Sequence, residues 1–119
     1  MPHPLLSVII PTAGRPQFLP RAIQSALHAA PKGSVEVIVV PNGKDKSWQT
    51  SVALFNKERN LYIYPIEKAH ANVARNYGLY RARGKYVRFL DDDDFLYPDK
   101  AQIQLELLDT TLSEFCSAR

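Results

Sequence analysis

The run Asp91-Asp92-Asp93-Asp94 is the stretch whose residue types most directly indicate chemistry. It follows the short apolar segment 86–90, which predicts a buried strand that ends in four carboxylates. Ionised carboxylates about 4 Å apart near a protein surface repel by roughly 4 kcal/mol, so a cation should lie among them. In an extended segment Asp91 and Asp93 share one side, and they would suit Mg²⁺ or Mn²⁺ bound to a phosphate ligand. The alternative is a solvated acidic loop that caps the next helix.

Four apolar runs, each followed by a polar turn and then a helical pattern, make up the rest of the chain. The predicted strands are 5–10, 35–40, 61–66 and 86–90. Three predicted helices are 16–30, 47–57 and 69–83. A last helix is predicted from Pro98, with one apolar face made of Ala101, Leu105, Leu108, Leu112 and Phe115. Val73, Tyr77 and Tyr80 mark the third helix, and Gly84 is expected at its carboxyl cap. Pro65 places the third strand toward a sheet edge. The pattern predicts an α/β fold with a mainly parallel open sheet and helices on both faces.

Length and composition favour one small domain that binds a phosphate-bearing ligand. The chain has 119 residues, a formal net charge of +3 and a single cysteine, Cys116. One domain, residues 1–119, is expected from this length. The mild positive charge suits a nucleotide better than a nucleic acid, which we do not expect as a partner. The absence of a disulfide pair, a signal peptide and a membrane span predicts a cytoplasmic protein.

The polar turns should meet at one rim of the sheet, because ligands of parallel open sheets bind beyond the carboxyl ends of the strands. The turns contribute Thr12 and Arg15, then Asn42 and Gly43, then His70, Asn72 and Arg75, and finally the four aspartates. Hydroxyl, amide, guanidinium and carboxylate groups together indicate a pocket for a nucleoside diphosphate. Neither G-x-G-x-x-G nor G-x-x-x-x-G-K-[ST] occurs, so dinucleotide-binding and P-loop folds are not indicated.

Several motifs in sequence order resemble the opening of an inverting glycosyltransferase of family 2, which has the Rossmann-like GT-A fold. They are Ser7-Val8-Ile9-Ile10-Pro11-Thr12, Arg15-Pro16, Val37-Ile38-Val39-Val40, Asn72-Val73-Ala74-Arg75-Asn76-Tyr77-Gly78, Gly84-Lys85-Tyr86-Val87 and Phe89-Leu90-Asp91-Asp92-Asp93-Asp94. The resemblance implies that this is the nucleotide-sugar-binding half of such an enzyme. The implied reaction is metal-dependent transfer of a sugar from a donor of the UDP type to a hydroxyl acceptor.

The resemblance also implies roles for individual residues. Thr12 matches a residue near the nucleotide base, and Arg75 matches a basic residue beside the nucleotide. Asp91, Asp92 and Asp93 match the D-x-D region, which contacts the ribose and, through its last aspartate, a divalent ion. By this match Asp93 is the metal ligand, with Asp91 beside it.

Two departures from the family pattern keep other functions open. The usual Asp-Asp-Gly-Ser turn is here Pro41-Asn42-Gly43-Lys44, so the contact of Asn42 with the base has to come from an amide. No acid can be matched to the family's general base or to its acceptor half, which come later in the family than the end of this chain. A truncated, non-catalytic nucleotide-binding module is therefore the main alternative, and a nucleotidyltransferase is a weaker one. An incomplete sheet also predicts self-association.

Overall fold

The computed structural model describes residues 4–30 and 33–96. Within them the predicted strands and helices all occur, in the predicted order. They are β1 Leu6–Thr12, α1 Leu19–Leu27, β2 Val35–Pro41, α2 Trp48–Ala53, β3 Leu61–Ile63, α3 Ala71–Arg81 and β4 Tyr86–Phe89. The helix predicted from Pro98 onward lies outside the described residues.

The strands form one parallel sheet in the order β3-β2-β1-β4, with β3 at an edge as predicted. Central strand β1 pairs with β2 so that Thr12 lies opposite Pro41, and with β4 so that Ile9 lies opposite Phe89. Because all strands run the same way, β1, β2 and β4 deliver their polar turns to one rim.

Both faces of the sheet are covered, which confirms the prediction made from the apolar runs. Every residue of β1 and β2 is buried. Val8 and Ile10 pack in the core under α1, whereas Ile9 packs in the core under α3 with Ala74. This alternation follows from the two-residue period of a strand.

Helix α3 packs on the sheet through small residues, flanked by part of the predicted stripe of Val73, Tyr77 and Tyr80, of which Tyr77 is partly buried against the core. The buried residues of α3 are Ala74 and Gly78, whereas Tyr80 is 77% exposed. A β-carbon at Gly78 would collide with Cγ2 of Ile9. Close approach of helix and sheet therefore leaves no room there for large side chains.

Gly84 is required for packing rather than for a helix cap, which corrects the prediction. The cap residue of α3 is Ala82, and Gly84 is not among the glycines with positive φ. A β-carbon at Gly84 would lie 2.5 Å from Oγ and 2.7 Å from the main-chain nitrogen of Ser7. The chain thus enters β4 against the backbone of β1.

A buried polar network holds this entry point at the end of the sheet remote from the rim. Glu36 is 3% exposed and accepts hydrogen bonds from Ser7 Oγ at 2.6 Å and from the Arg83 main-chain N–H at 2.7 Å. The Gly84 N–H donates to Ser7 Oγ at 2.8 Å. The charge of Glu36 raises the pKa of the Arg83 guanidinium, with a smaller contribution from Tyr62.

In the part of the chain that the structure describes, the helices are too short or too polar to cross a lipid bilayer.

Candidate functional site

The four aspartates lie in a turn after β4 rather than in an extended segment. The Asp94 N–H donates to the Asp91 carbonyl at 3.0 Å, which closes the turn. The extended segment that the sequence analysis expected here is therefore wrong. The expected closeness of the Asp91 and Asp93 side chains is confirmed. Carboxylate oxygens of Asp91, Asp93 and Asp94 lie within 4.8 Å of one another, and all three residues are exposed.

Asp92 faces inward, away from the other three carboxylates. The sheet register explains this orientation, because the pairing of Ile9 with Phe89 brings Thr12 level with Asp92 three residues later. Thr12 Oγ1 donates to Asp92 Oδ2 at 2.7 Å, and both residues are buried. A charge-assisted bond of this kind fixes the carboxylate in one orientation.

Two arginines supply the positive charge that the aspartate cluster predicts. Arg15 Nη1 lies 3.0 Å from Asp93 Oδ2 and 3.5 Å from Asp92 Oδ1. Arg75 Nη2 lies 3.1 Å from Asp91 Oδ1. Asn72 Oδ1 accepts a hydrogen bond from Arg75 Nη1 at 2.9 Å, so the neighbouring turn of α3 orients this guanidinium.

Asn42 closes the floor of the site from the end of β2. It donates twice to the Thr12 carbonyl oxygen, from its main-chain N–H at 2.9 Å and from its side-chain Nδ2 at 3.1 Å. These bonds set the orientation of the side-chain amide. The side-chain carbonyl oxygen of Asn42 makes no hydrogen bond to the described residues, so this acceptor remains available beside Thr12.

A pocket of about 290 Å³ lies at this rim, and the residues predicted to bind the nucleotide line it together. The lining residues are Pro11, Thr12, Ala13, Arg15, Asn42, Ala71, Arg75, Asp91 and Asp92. Asp93 is not among them, and its side chain is 45% exposed. The pocket therefore combines a polar floor, two guanidinium groups and an acidic margin.

Sequence reasoning missed the two α1 residues that hold the acidic turn in place. Arg21 Nη2 donates to the Asp93 carbonyl at 3.0 Å and its guanidinium stacks on Phe95 at 4.6 Å. Ser25 Oγ accepts from the Leu96 N–H at 3.0 Å. Nothing in the helical periodicity distinguishes these two residues from others on the polar side of α1.

His70 has a structural position rather than a place in the pocket. It is the N-cap of α3, and its Nδ1 accepts from the Asn72 N–H at 3.2 Å. It is exposed and does not line the pocket. The sequence grouped His70 with the residues of the rim, and the structure shows it at an exposed helix start outside the pocket.

The acidic cluster has the donor chemistry of a site for Mg²⁺ or Mn²⁺. Asp91, Asp93 and Asp94 offer only carboxylate oxygens, the donors that these ions prefer. Asp91 also lines the pocket, so an ion held there would border any ligand inside it. The residues present therefore fit a divalent cation.

Comparison with known proteins places this geometry in one family. The sequence model of the family described as Glycosyl transferase family 2 matches residues 7–117. An uncharacterized glycosyltransferase of Rickettsia bellii is 34% identical over 106 residues, which cover 89% of this chain and 15% of that protein. Staphylococcus aureus TarS 1-349, solved in complex with UDP-GlcNAc, superposes with a TM-score of 0.75 and 28% identity, covering 87% of this chain and 31% of that one.

A third comparison concerns the fold alone. The mannosyltransferase PcManGT of Pyrobaculum calidifontis, solved in complex with GDP-Man and Mn²⁺, superposes with a TM-score of 0.75 and 23% identity over 92% of this chain and 34% of that one. These neighbours confirm the GT-A fold. The chain spans less than half the length of each of these three proteins. With 111 of its residues inside the matched range 7–117 and the polar rim in place, the chain belongs to glycosyl transferase family 2.

Proposed function

We propose that this chain forms the donor-binding part of a glycosyltransferase, which transfers a sugar from a UDP-type nucleoside diphosphate to a hydroxyl acceptor. The observation that carries the proposal is the single pocket in which Thr12, Asn42, Arg75 and two aspartates meet beyond the carboxyl ends of the strands. The complex of TarS with UDP-GlcNAc supports a uridine donor. The transfer itself is proposed for the whole protein, since the chain spans only part of its relatives.

The floor of the pocket suits the nucleoside. The side-chain carbonyl oxygen of Asn42 can accept a hydrogen bond from a ring N–H of the base, which uracil offers. Asp92, held by Thr12 at 2.7 Å, can accept from a ribose hydroxyl. An amide in place of the family's usual acid therefore retains the acceptor and adds no charge at the base.

The outer side of the pocket suits the diphosphate. Arg15 and Arg75 both line it, and guanidinium groups bind phosphate oxygens in pairs of hydrogen bonds. Asp93 and Asp91, with Asp94 beside them, would hold Mn²⁺ or Mg²⁺ next to the same phosphates. When bound, such an ion stabilises negative charge on the departing nucleoside diphosphate as a Lewis acid.

Titration calorimetry of the chain with UDP, in the presence and absence of Mn²⁺, tests the proposal. We expect Mn²⁺ to strengthen UDP binding, and Asp93→Ala to abolish that gain. Glu58→Ala is a matched control, because it also removes one exposed carboxylate but lies before β3, away from the rim. UDP binding that ignores Mn²⁺, or an Asp93→Ala variant that behaves like the parent, would contradict the proposed site.

We propose that residues 1–119 form a single domain, the donor half of the protein. Transfer of a sugar to a hydroxyl acceptor by this chain alone would exclude the alternative of a non-catalytic module. Self-association stays a prediction, which sedimentation at high concentration tests. A cytoplasmic location also stays a prediction, which imaging of the tagged native protein tests.

A further inference from the structure

Arg15 contacts two chemically different parts of the site at once. Its Nη1 lies 3.0 Å from Asp93 in the exposed cluster and 3.5 Å from the inward-facing Asp92, while the side chain also lines the pocket. Half of the side chain is exposed, at 51%. Arg15 therefore stands on the boundary between the metal-binding carboxylates and the space for the ligand.

The position of Arg15 conflicts with a divalent ion on Asp93. A guanidinium and a dication at one carboxylate compete for its oxygens and repel each other. Arg15 can leave Asp93 at low cost, because both side chains of this ion pair are about half exposed, at 51% and 45%. Its longer contact, 3.5 Å to the buried Asp92, involves a carboxylate that keeps the hydrogen bond from Thr12 when Arg15 moves.

Arg75 differs from Arg15 in this respect. Asn72 holds Arg75 through Nη1 while Nη2 contacts Asp91, so its guanidinium has a second anchor on α3. The described residues show no such second anchor for the Arg15 side chain beyond the two aspartates. The two guanidinium groups therefore differ in how firmly the protein holds them.

We infer that Arg15 is an exchangeable counter-ion, which neutralises Asp93 until a divalent cation displaces it and then binds the diphosphate. The inference rests on the proposed function and adds a coupling to it. The cation frees Arg15 for the phosphates, and the phosphates draw Arg15 away from Asp93, so each ligand strengthens binding of the other by the same factor.

Four dissociation constants measured by titration calorimetry test the exchange: Mn²⁺ with and without UDP, and UDP with and without Mn²⁺. In Arg15→Gln, Mn²⁺ alone should bind about fivefold more tightly because its competitor is gone. UDP in saturating Mn²⁺ should bind about tenfold more weakly because a charged donor is lost. Arg15→Lys, which keeps the charge, should bind Mn²⁺ alone as the parent does.

Arg59→Gln serves as the control for net charge, since Arg59 is exposed and lies before β3; it should leave all four constants unchanged. Weaker binding of Mn²⁺ alone by Arg15→Gln, or an unchanged coupling between Mn²⁺ and UDP, overturns the exchange while leaving the proposed function intact. A parent chain that binds neither ligand overturns the proposed function and the exchange with it.

Discussion

Replacing Gly84 by alanine should destabilise the chain by steric conflict with β1 and not through backbone conformation. The added β-carbon would lie 2.7 Å from the main-chain nitrogen of Ser7 and 2.9 Å from the carbonyl carbon of Leu6. Both atoms belong to the backbone of the central strand, so rotation of a side chain cannot relieve the contact. Either β1 or the entry of β4 has to move.

The expected loss can be worked out from two destabilising contributions and one that opposes them. Overpacking costs about 1–3 kcal/mol, and disturbing the hydrogen bond between the Gly84 N–H and Ser7 Oγ costs about 1 kcal/mol more. Alanine also lowers the conformational entropy of the unfolded chain, which stabilises the folded state by about 0.4–1 kcal/mol. The net loss is about 1–4 kcal/mol, and its central value of about 2 kcal/mol corresponds to roughly 10 °C in the midpoint of thermal unfolding for a chain of this length.

Urea and thermal unfolding of four variants separate the steric cause from a conformational one. Gly33 is the control, because its φ is +90° and a β-carbon there would meet nothing within 4 Å. Gly33→Ala should cost about 1–2 kcal/mol through φ alone, and Gly33→Asn should cost less because asparagine tolerates this region. Gly84→Asn should be at least as damaging as Gly84→Ala.

Two results would refute the steric argument. One is a Gly84→Ala variant within about 0.5 kcal/mol of the parent, the range of ordinary surface substitutions. The other is a Gly84→Asn variant that is more stable than Gly84→Ala, which would restore the role of Gly84 as a helix cap.

Three further predictions concern single side chains. Glu36→Ala should lower the free energy of unfolding by about 3 kcal/mol in urea titrations, because it strips the partner from buried donors; a loss below about 1 kcal/mol would contradict this. Thr12→Val should weaken UDP binding in calorimetry by about tenfold, because the bond that orients Asp92 at 2.7 Å is lost, and an unchanged affinity counts against it. Hydrogen bonds from Ser47 hold the pKa of Asp45 below its ordinary value, so nuclear magnetic resonance titration should show this pKa rise in Ser47→Ala. The stability from this depressed pKa is present above the unfolded-state pKa and lost as pH falls through the folded one, and an equal pKa in both chains would refute the cause.

The sequence predicted the sheet and the composition of its polar rim. Near-continuous β-branched runs such as Val35 to Val40 leave a strand no solvated face, and the parallel direction that follows puts every strand's carboxyl end at one edge. Thr12, Arg15, Asn42 and Arg75 could therefore be grouped before any distance was known.

Distances between elements could not be predicted in the same way. Hydrophobic periodicity reports which side chains avoid water, but not how close a helix axis comes to a sheet. The stripe of Val73, Tyr77 and Tyr80 therefore predicts α3, but not the close contact that Ala74 and Gly78 make with the sheet. The same limit applies to Gly84, whose requirement comes from the backbone of a strand 77 residues earlier at Ser7. Arg21 was missed for the same reason, since its partner is a carbonyl in another segment.

The register between β1 and β4 has a consequence for how the acidic turn tolerates error. Thr12 selects whichever residue stands three places beyond the partner of Ile9, and a slip by one position normally exchanges inward and outward side chains. Because four identical residues follow one another here, an insertion of one residue between Leu90 and the turn would leave Leu90 in the core, offer Thr12 the carboxylate of Asp91, and put Asp92 and Asp93 in the two exposed places that follow. The repetition thus keeps a carboxylate opposite Thr12 when the chain becomes one residue longer at this point.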